Sequence, residues 1–443
     1  MIERITIKNF KSYTSAELSL APLTFLIGAN ASGKSNALEA VRLLSWLAKG
    51  SRLEDISKNI QGNDRLIRGQ AADLFQHKDS SFSLGCQFSS IPGDWANLEV
   101  SIGLLVDDQL AITGEQVTQK APTGMGDDAD LPLYRVDSPP ALHSDEISVM
   151  YNNFKKGRNK PHIPCSNRQA IFYQLESPGR FESKHDESQR MIPSVTKVFR
   201  ETLKKIIFLD PRPPAMRDYS YENDRDMKEN GSNLSSVLFH VCKDNAGKKH
   251  LLDFIRSLPE QNIVDVTFIE TERRDVMVRL VESFGGQDRE VDAPLLSDGT
   301  LRVLAVAGVL LSAPTGSLVI IEEIDNGVHP SRAENLVSQI RAVGKARNLR
   351  ILVTTHNPAL LDALPNSSLV DVLCCYRDTD AGDSRIVRLG DTRRYPEMVA
   401  QASLGELVTT RVLDRFLKDK TTEEEFTQKS LAWLEELVKE SAE

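Results

Sequence analysis

Cysteine is scarce in this chain. There are five among 443 residues, with no C-x-x-C or Cys/His ligand spacing, so neither a disulfide framework nor a zinc site is written in the sequence. Cys86, Cys165, Cys242, Cys374 and Cys375 are expected to be thiols, which suits a reducing, cytoplasmic setting. Long apolar runs are missing too: none approaches the roughly 18 residues of a membrane span. The opening Met1-Ile2-Glu3-Arg4-Ile5 alternates like a strand and lacks the apolar centre of a signal peptide, so no membrane partner is expected. There is no excess of positive charge. A net charge of −9 and a pI near 5.6 give no global field for nucleic acid, although a local basic patch could still bind it. No fixed-period repeat and no long heptad run occur, which excludes solenoids and coiled-coil arms. What remains is ordinary globular composition, 40% hydrophobic and 26% charged, in a chain long enough for two or three domains.

Against that background one stretch stands out, Gly28-Ala29-Asn30-Ala31-Ser32-Gly33-Lys34-Ser35, which fits the phosphate-binding pattern G-x-x-x-x-G-K-[ST]. Its context is right. Leu23 to Ile27 reads as a buried strand, and Asn36 to Ala48 as a helix with Leu38, Val41, Leu44 and Leu47 on one face. Backbone N–H groups of the loop and the helix N-terminus would hold phosphates, Lys34 would neutralise β/γ oxygens, and Ser35 would ligate Mg²⁺. The nucleotide-binding set is therefore Asn30, Ala31, Ser32, Gly33, Lys34, Ser35 and Asn36.

Around this loop the chain divides into four expected parts. Residues 1–120 combine the P-loop with antiparallel strands at Ile2 to Phe10, Ala16 to Leu20, Ser81 to Ser89, Leu98 to Val106 and Gln109 to Gln119. Residues 121–204 are rich in Pro, Asp, Ser and Asn and read as an irregular insertion. It holds an acidic stretch, Gly124 to Asp130, and a basic cluster, Lys155, Lys156, Arg158 and Lys160, beside Tyr151 and Phe154. That cluster is either a solvated loop or a nucleic-acid contact combining phosphate neutralisation with base stacking. Residues 205–415 alternate strands and helices, and residues 416–443 contain a charged helix, Thr421 to Val438.

Ligands of open parallel sheets lie at the carboxyl ends of strands. The apolar strand Ser317 to Ile321 ends in Glu322-Glu323, and Arg350 to Thr355 ends in His356. With these strands flanking the P-loop strand, Glu322 would hold Mg²⁺ through water, Glu323 would act as general base on the attacking water, and His356 would contact the γ-phosphate.

Leu296-Ser297-Asp298-Gly299-Thr300-Leu301-Arg302 resembles the signature of ABC-type ATPases, in the version found in RecF, SMC and OLD-like proteins. Ile7-Lys8-Asn9-Phe10-Lys11-Ser12-Tyr13 is similar to the opening of SMC and RecF heads. The run Glu322 to Pro330 looks like their Walker B and D-loop, with Glu322 one methylene longer than the usual aspartate. Ser403 to Val408 resembles their tail. The resemblance implies an α/β fold: a P-loop NTPase with an ABC-type head, made of a mixed sheet flanked by helices, an antiparallel β subdomain and a helical or irregular insertion. It implies that Lys11 and Ser12 approach the nucleotide, and that Ser297 and Gly299 complete the site of a second copy across an ATP sandwich. A Q-loop glutamine supporting Mg²⁺ would be Gln70, with Gln174 as the other candidate.

Three functions follow. The first is an ATPase, of slow turnover or not, that assembles with itself as a homodimer or higher oligomer and controls a separate effector such as a nuclease in bacterial anti-phage defence. The second is a RecF-like DNA-repair ATPase that grips DNA. The third, a transporter subunit, is disfavoured because Ser35 and Ser297 lie more than half the chain apart. Little chain follows His356, so an effector domain is expected on another polypeptide.

Overall fold

The computed structural model of the chain describes residues 1–58, 67–76, 79–105, 109–120, 131–140, 144–157, 159–255, 262–324, 331, 333–392 and 395–418. The expected acidic stretch Gly124 to Asp130, Arg158, the run Asp325 to Pro330 and the charged helix Thr421 to Val438 lie outside the described residues.

Among the described residues, three sheets and two cores organise the fold. The six-stranded sheet runs, in spatial order, Ile207–Leu209, Leu318–Ile321, Arg350–Thr354, Leu23–Ile27, Leu373–Arg377 and Ser384–Arg388; the first five are parallel and the last is antiparallel. Its strands are apolar on both faces because each face meets a different core. Leu26, Leu318, Ile320, Leu352 and Leu373 join the core shared with the P-loop helix and the antiparallel sheet. Phe25, Ile27, Val319, Ile321, Ile351 and Val353 join the core under the helices of the C-terminal half. The period of two along each strand thus sorts alternate side chains into two layers.

The second sheet is an eight-stranded antiparallel one. Its order is Tyr13–Ser19, Ile2–Phe10, Ser81–Phe88, Asn97–Leu104, Leu110–Thr118, Tyr134–Val136, Glu146–Tyr151 and His162–Ser166. The last three strands come from the stretch read as irregular, which is more regular than its composition suggests. Tyr134, Ile147, Val149, Tyr151, Ile163 and Cys165 are buried on it, and Asp186–Lys204 supplies the helical part of the insertion, packed on the P-loop helix. Their apolar residues are too few per strand to stand out between prolines and acids.

A smaller antiparallel sheet joins Ser220–Tyr221, Asp275–Phe284, Ile263–Glu270 and Gln287–Asp292. Gly285 and Gly286, both with positive φ (60° and 81°), make the two-residue turn between Asp275–Phe284 and Gln287–Asp292. This mixed α/β P-loop architecture is the one expected from the sequence. None of the described helices is long and apolar enough to cross a membrane.

Candidate functional site

The helix after the P-loop spans Lys34–Ala48, two residues longer at its start than the apolar stripe predicts, so Lys34 and Ser35 occupy its first turn. Gly33 precedes it without a side-chain cap, and no acidic residue sits in that turn, which leaves the N-terminal N–H groups and their partial positive charge for an anion. Lys34 Nζ donates to Gly28 O (2.6 Å) and Ala29 O (3.0 Å), folding the side chain over the loop. Burial lowers its ammonium pKa, with Cys375 and Glu323 opposing the shift.

The loop tolerates no side chain at two glycines. At Gly28, φ is 151° and a Cβ would stand 2.1 Å from Cys375 O; at Gly33, φ is 121° and a Cβ would meet Ser384 Oγ at 2.4 Å. Cys375 Sγ in turn donates to Ser32 O (3.3 Å), and Tyr13 OH lies 3.2 Å from the same sulfur. A neighbouring strand therefore supports the loop from beneath. Ser32 Oγ is buried and has no protein partner among the described residues.

The loop opens on a cleft of about 350 Å³ lined by Asn30 to Asn36, Leu38, Arg68, Glu322, Glu323, Thr354, His356 and Arg377. Thus Asn30, Ala31, Ser32, Gly33, Lys34, Ser35, Asn36, Glu322, Glu323 and His356 are brought together as the sequence predicts. Of these two strands, however, the one ending before His356 flanks the P-loop strand directly, and the one ending before Glu322 lies one place further out. Glu323 reaches the cleft from there with φ 48° and its backbone N–H bonded to Thr354 Oγ1 (2.9 Å) on the intervening strand. Glu322 accepts from Arg42 Nη2 (2.7 Å), and the same guanidinium gives Nη1 to Glu229 (2.5 Å). Burial nevertheless raises the Glu322 carboxyl above its ordinary pKa, with Arg42 pulling it down and Asp210 and Glu229 pushing it up.

Lys11 and Ser12 line an adjoining hollow that shares Asn36 and Arg377 with the cleft. Lys11 Nζ is ion-paired with the buried Glu39 and donates to Arg68 O (2.8 Å), while Ser12 Oγ accepts from Asn36 Nδ2 (2.8 Å). Arg68 Nε donates to the other oxygen of Glu39 (2.5 Å) and its side chain, 60% exposed, reaches the cleft.

Gln70, Gln174, Ser297 and Gly299 are not among the cleft's lining, and Lys11 and Ser12 line only the adjoining hollow. Gln70 is exposed and opens the short turn Ala71–Leu74, its N–H bonded to Asp73 Oδ2 (2.7 Å); Arg68 is the residue of that stretch that lines the cleft. Gln174, the alternative, has its amide bonded to Ser166 and Gln169. Ser297 and Gly299 sit at the N-terminus of the helix Asp298–Ser312, where exposed Ser297 caps Thr300 N (3.1 Å). Arg217 fastens that loop, donating to Pro294 O (2.8 Å), Leu296 O (2.7 Å) and Asp298 Oδ1 (2.5 Å).

Arg42, Arg68, Arg217, Thr354 and Arg377 were not singled out from sequence. Arg42 alone left a signal, the one arginine in the helix, flanked by the apolar run Ala40-Val41 and Leu43-Leu44. The donor set fits a triphosphate: an uncapped helix start, a lysine folded over a glycine loop and an orphaned buried hydroxyl. For Mg²⁺ the oxygens at hand are Ser35 and Glu322.

Residues 1–248 match the family model described as "AAA ATPase domain", more than half of the chain, and residues 155–362 match that described as "AAA domain, putative AbiEii toxin, Type IV TA system". The chain is 33% identical over 93 residues to "DNA replication and repair protein RecF" of Leptospira interrogans, covering 20% of this chain and 24% of that protein. It is 37% identical over 84 residues to the protein of the same name in Halalkalibacterium halodurans, 19% and 22% of the two chains. The chain thus spans about a quarter of the length of these curated relatives. Among solved structures, an SMC head bound to the C-winged helix domain of ScpA is similar at 13% identity and TM-score 0.48, covering 87% of this chain and 96% of that one. A Pyrococcus furiosus SMC head with an extended coiled coil matches at 13% identity and TM-score 0.45, covering 90% and 99%.

Proposed function

The chain belongs to the AAA ATPase domain family, and from that premise we propose that it binds and hydrolyses Mg²⁺-ATP in the cleft between Lys34 and His356. The observation that carries the reading is the convergence of Lys34, Ser35, Glu322, Glu323 and His356 on one cleft of about 350 Å³. Lys34 and the helix N-terminus bind and neutralise the β and γ phosphates. Glu323, held through its backbone by Thr354, takes the proton of the attacking water. His356 faces the γ-phosphate. Bound Mg²⁺ would draw charge from the leaving phosphate, with Ser35 and Glu322 as its protein ligands or water contacts.

In this reading exposed Ser297 and half-buried Gly299, at a helix N-terminus away from the cleft of their own chain, close the site of a second copy. ATP then joins two chains as well as being cleaved, and the assembly controls a separate effector in bacterial anti-phage defence. The first test is ATP binding by Lys34→Ala: loss of affinity by about 100-fold is expected from removing a charge-assisted phosphate contact, and unchanged affinity would overturn the site.

A second reading, direct DNA binding, is favoured by one feature. Between the strands Glu146–Tyr151 and His162–Ser166, Phe154 is 39% exposed beside Lys155, Lys156 and Lys160. Gel shifts with and without ATP across a salt series test it; this reading requires affinity that falls steeply with salt and weakens in a Phe154→Ala, Lys155→Ala, Lys156→Ala variant.

A further inference from the structure

Glu322 ends its strand with a partner already in hand. Its Oε1 accepts Arg42 Nη2 at 2.7 Å, and the side chains of the pair are 24% and 15% exposed. Arg42 projects from the P-loop helix itself, lies over the Phe208 ring at 4.4 Å from the centroid, and offers its other amino group to Glu229 at 2.5 Å. Asp210, at the end of the adjoining strand, donates its N–H to Glu229 O (2.8 Å) and adds its negative field to Glu322. Asp210 in turn pairs with Arg212 at 3.2 Å, so three carboxylates and two guanidinium groups meet in this cluster. The group leans negative by one charge. That leaves a place for a cation, but one Glu322 oxygen is already engaged by Arg42.

We propose that Arg42 is a resident competitor of Mg²⁺ for Glu322: metal-nucleotide draws Glu322 away from the guanidinium, and Glu229 holds the guanidinium released. Two observations support this. Arg42 bridges both carboxylates at once, so loosening one leaves it paired with the other rather than stranded in a half-buried site, where an unpaired charge is costly. Glu322 also lines the cleft itself, so the carboxylate that Arg42 holds already stands where the metal-nucleotide would bind. Arg42 is here a positioning residue that sets how much Mg²⁺ the site requires. The inference rests on the reading of the cleft as a Mg²⁺-ATP site.

The test is equilibrium binding of a fluorescent ATP analogue to the full chain as Mg²⁺ is titrated, in wild type, Arg42→Gln and Glu229→Gln. Removing the competitor is expected to lower the half-saturating Mg²⁺ roughly tenfold, the worth of one charge-assisted hydrogen bond. Glu229→Gln leaves Arg42 with Glu322 as its remaining close carboxylate and is expected to raise it several-fold by the same logic. A merely structural salt bridge would shift both variants the same way or not at all, and either result overturns the proposal. Arg42→Lys, which keeps the charge but cannot bridge two carboxylates, is expected between wild type and Arg42→Gln, and serves if the glutamine variant does not fold. Failure of the wild-type chain to bind the analogue would remove the nucleotide reading and this inference together. Binding with identical Mg²⁺ dependence in all variants would remove the inference alone.

Discussion

Thr354 Oγ1 accepts the backbone N–H of Glu323 at 2.9 Å, so the strand beside the P-loop fixes the residue that follows the next strand out. Glu323 holds a positive φ of 48°, a conformation costly for a side chain bearing a Cβ and sustained by that bond. Thr354→Val keeps the shape and deletes the acceptor. ATP hydrolysis is expected to fall about tenfold with ATP affinity near wild type, because the base is misplaced while the phosphate cradle is not. Steady-state turnover measured beside equilibrium binding checks it, and equal losses in both would point to unfolding of the strand end instead.

Gly33→Ala is expected to cripple nucleotide binding without touching a ligand contact. A methyl group there would meet Ser384 Oγ at 2.4 Å and Tyr13 OH at 2.9 Å in a backbone conformation of φ 121°. The strain displaces the loop or the strand Ser384–Arg388 beneath it, at a cost of about 1–3 kcal/mol. Thermal unfolding and ATP affinity should both decline; a variant with wild-type values for each would show that the loop is free to shift.

Local sequence carried much of this site. The strand, glycine loop and helix of residues 23–48 are contiguous, and the strand-end acids announce themselves because a double-sided apolar strand stops at Glu322. What sequence did not reveal depends on distant chain. Arg68 is tied to Glu39 across 29 positions and Arg217 to Asp298 across 81, and no local pattern encodes such pairs. The order of strands was legible only in part, since placing Arg350–Thr354 between Leu23–Ile27 and Leu318–Ile321 follows from the closing of the whole sheet. The strands near residues 134, 147 and 163 escaped because each buries only one to four side chains.

Glu115 is a buried carboxylate far from that chemistry in role. It accepts from Tyr134 OH (2.7 Å), Ile171 N (2.7 Å) and Phe172 N (2.6 Å), yet burial outweighs these bonds and pushes its pKa up to about 7. Its folded pKa lies above its unfolded one, so the stability it contributes is present in acid and is lost as pH rises from about 4.5 toward 7. Glu115→Gln removes the titration. Its stability relative to wild type should improve by roughly 3 kcal/mol between those limits, measured by urea unfolding at several pH values. A difference that does not change with pH would contradict the assignment.

Composite sites make a complementation prediction. Lys34→Ala and Ser297→Arg chains should each be inactive alone, and mixing them should restore up to about a quarter to half of wild-type hydrolysis, because a mixed dimer holds one intact pairing of Lys34 with Ser297. No recovery on mixing would place Ser297 outside the site of a second copy.

The proposed role of Glu323 is to activate water for ATP hydrolysis in this cleft. Glu323→Gln keeps the size of the side chain and removes the base, so ATP affinity in the presence of Mg²⁺ should stay within about threefold of wild type while turnover falls by about 100-fold or more. Turnover equal to wild type in that variant, with ATP still bound, would contradict the account.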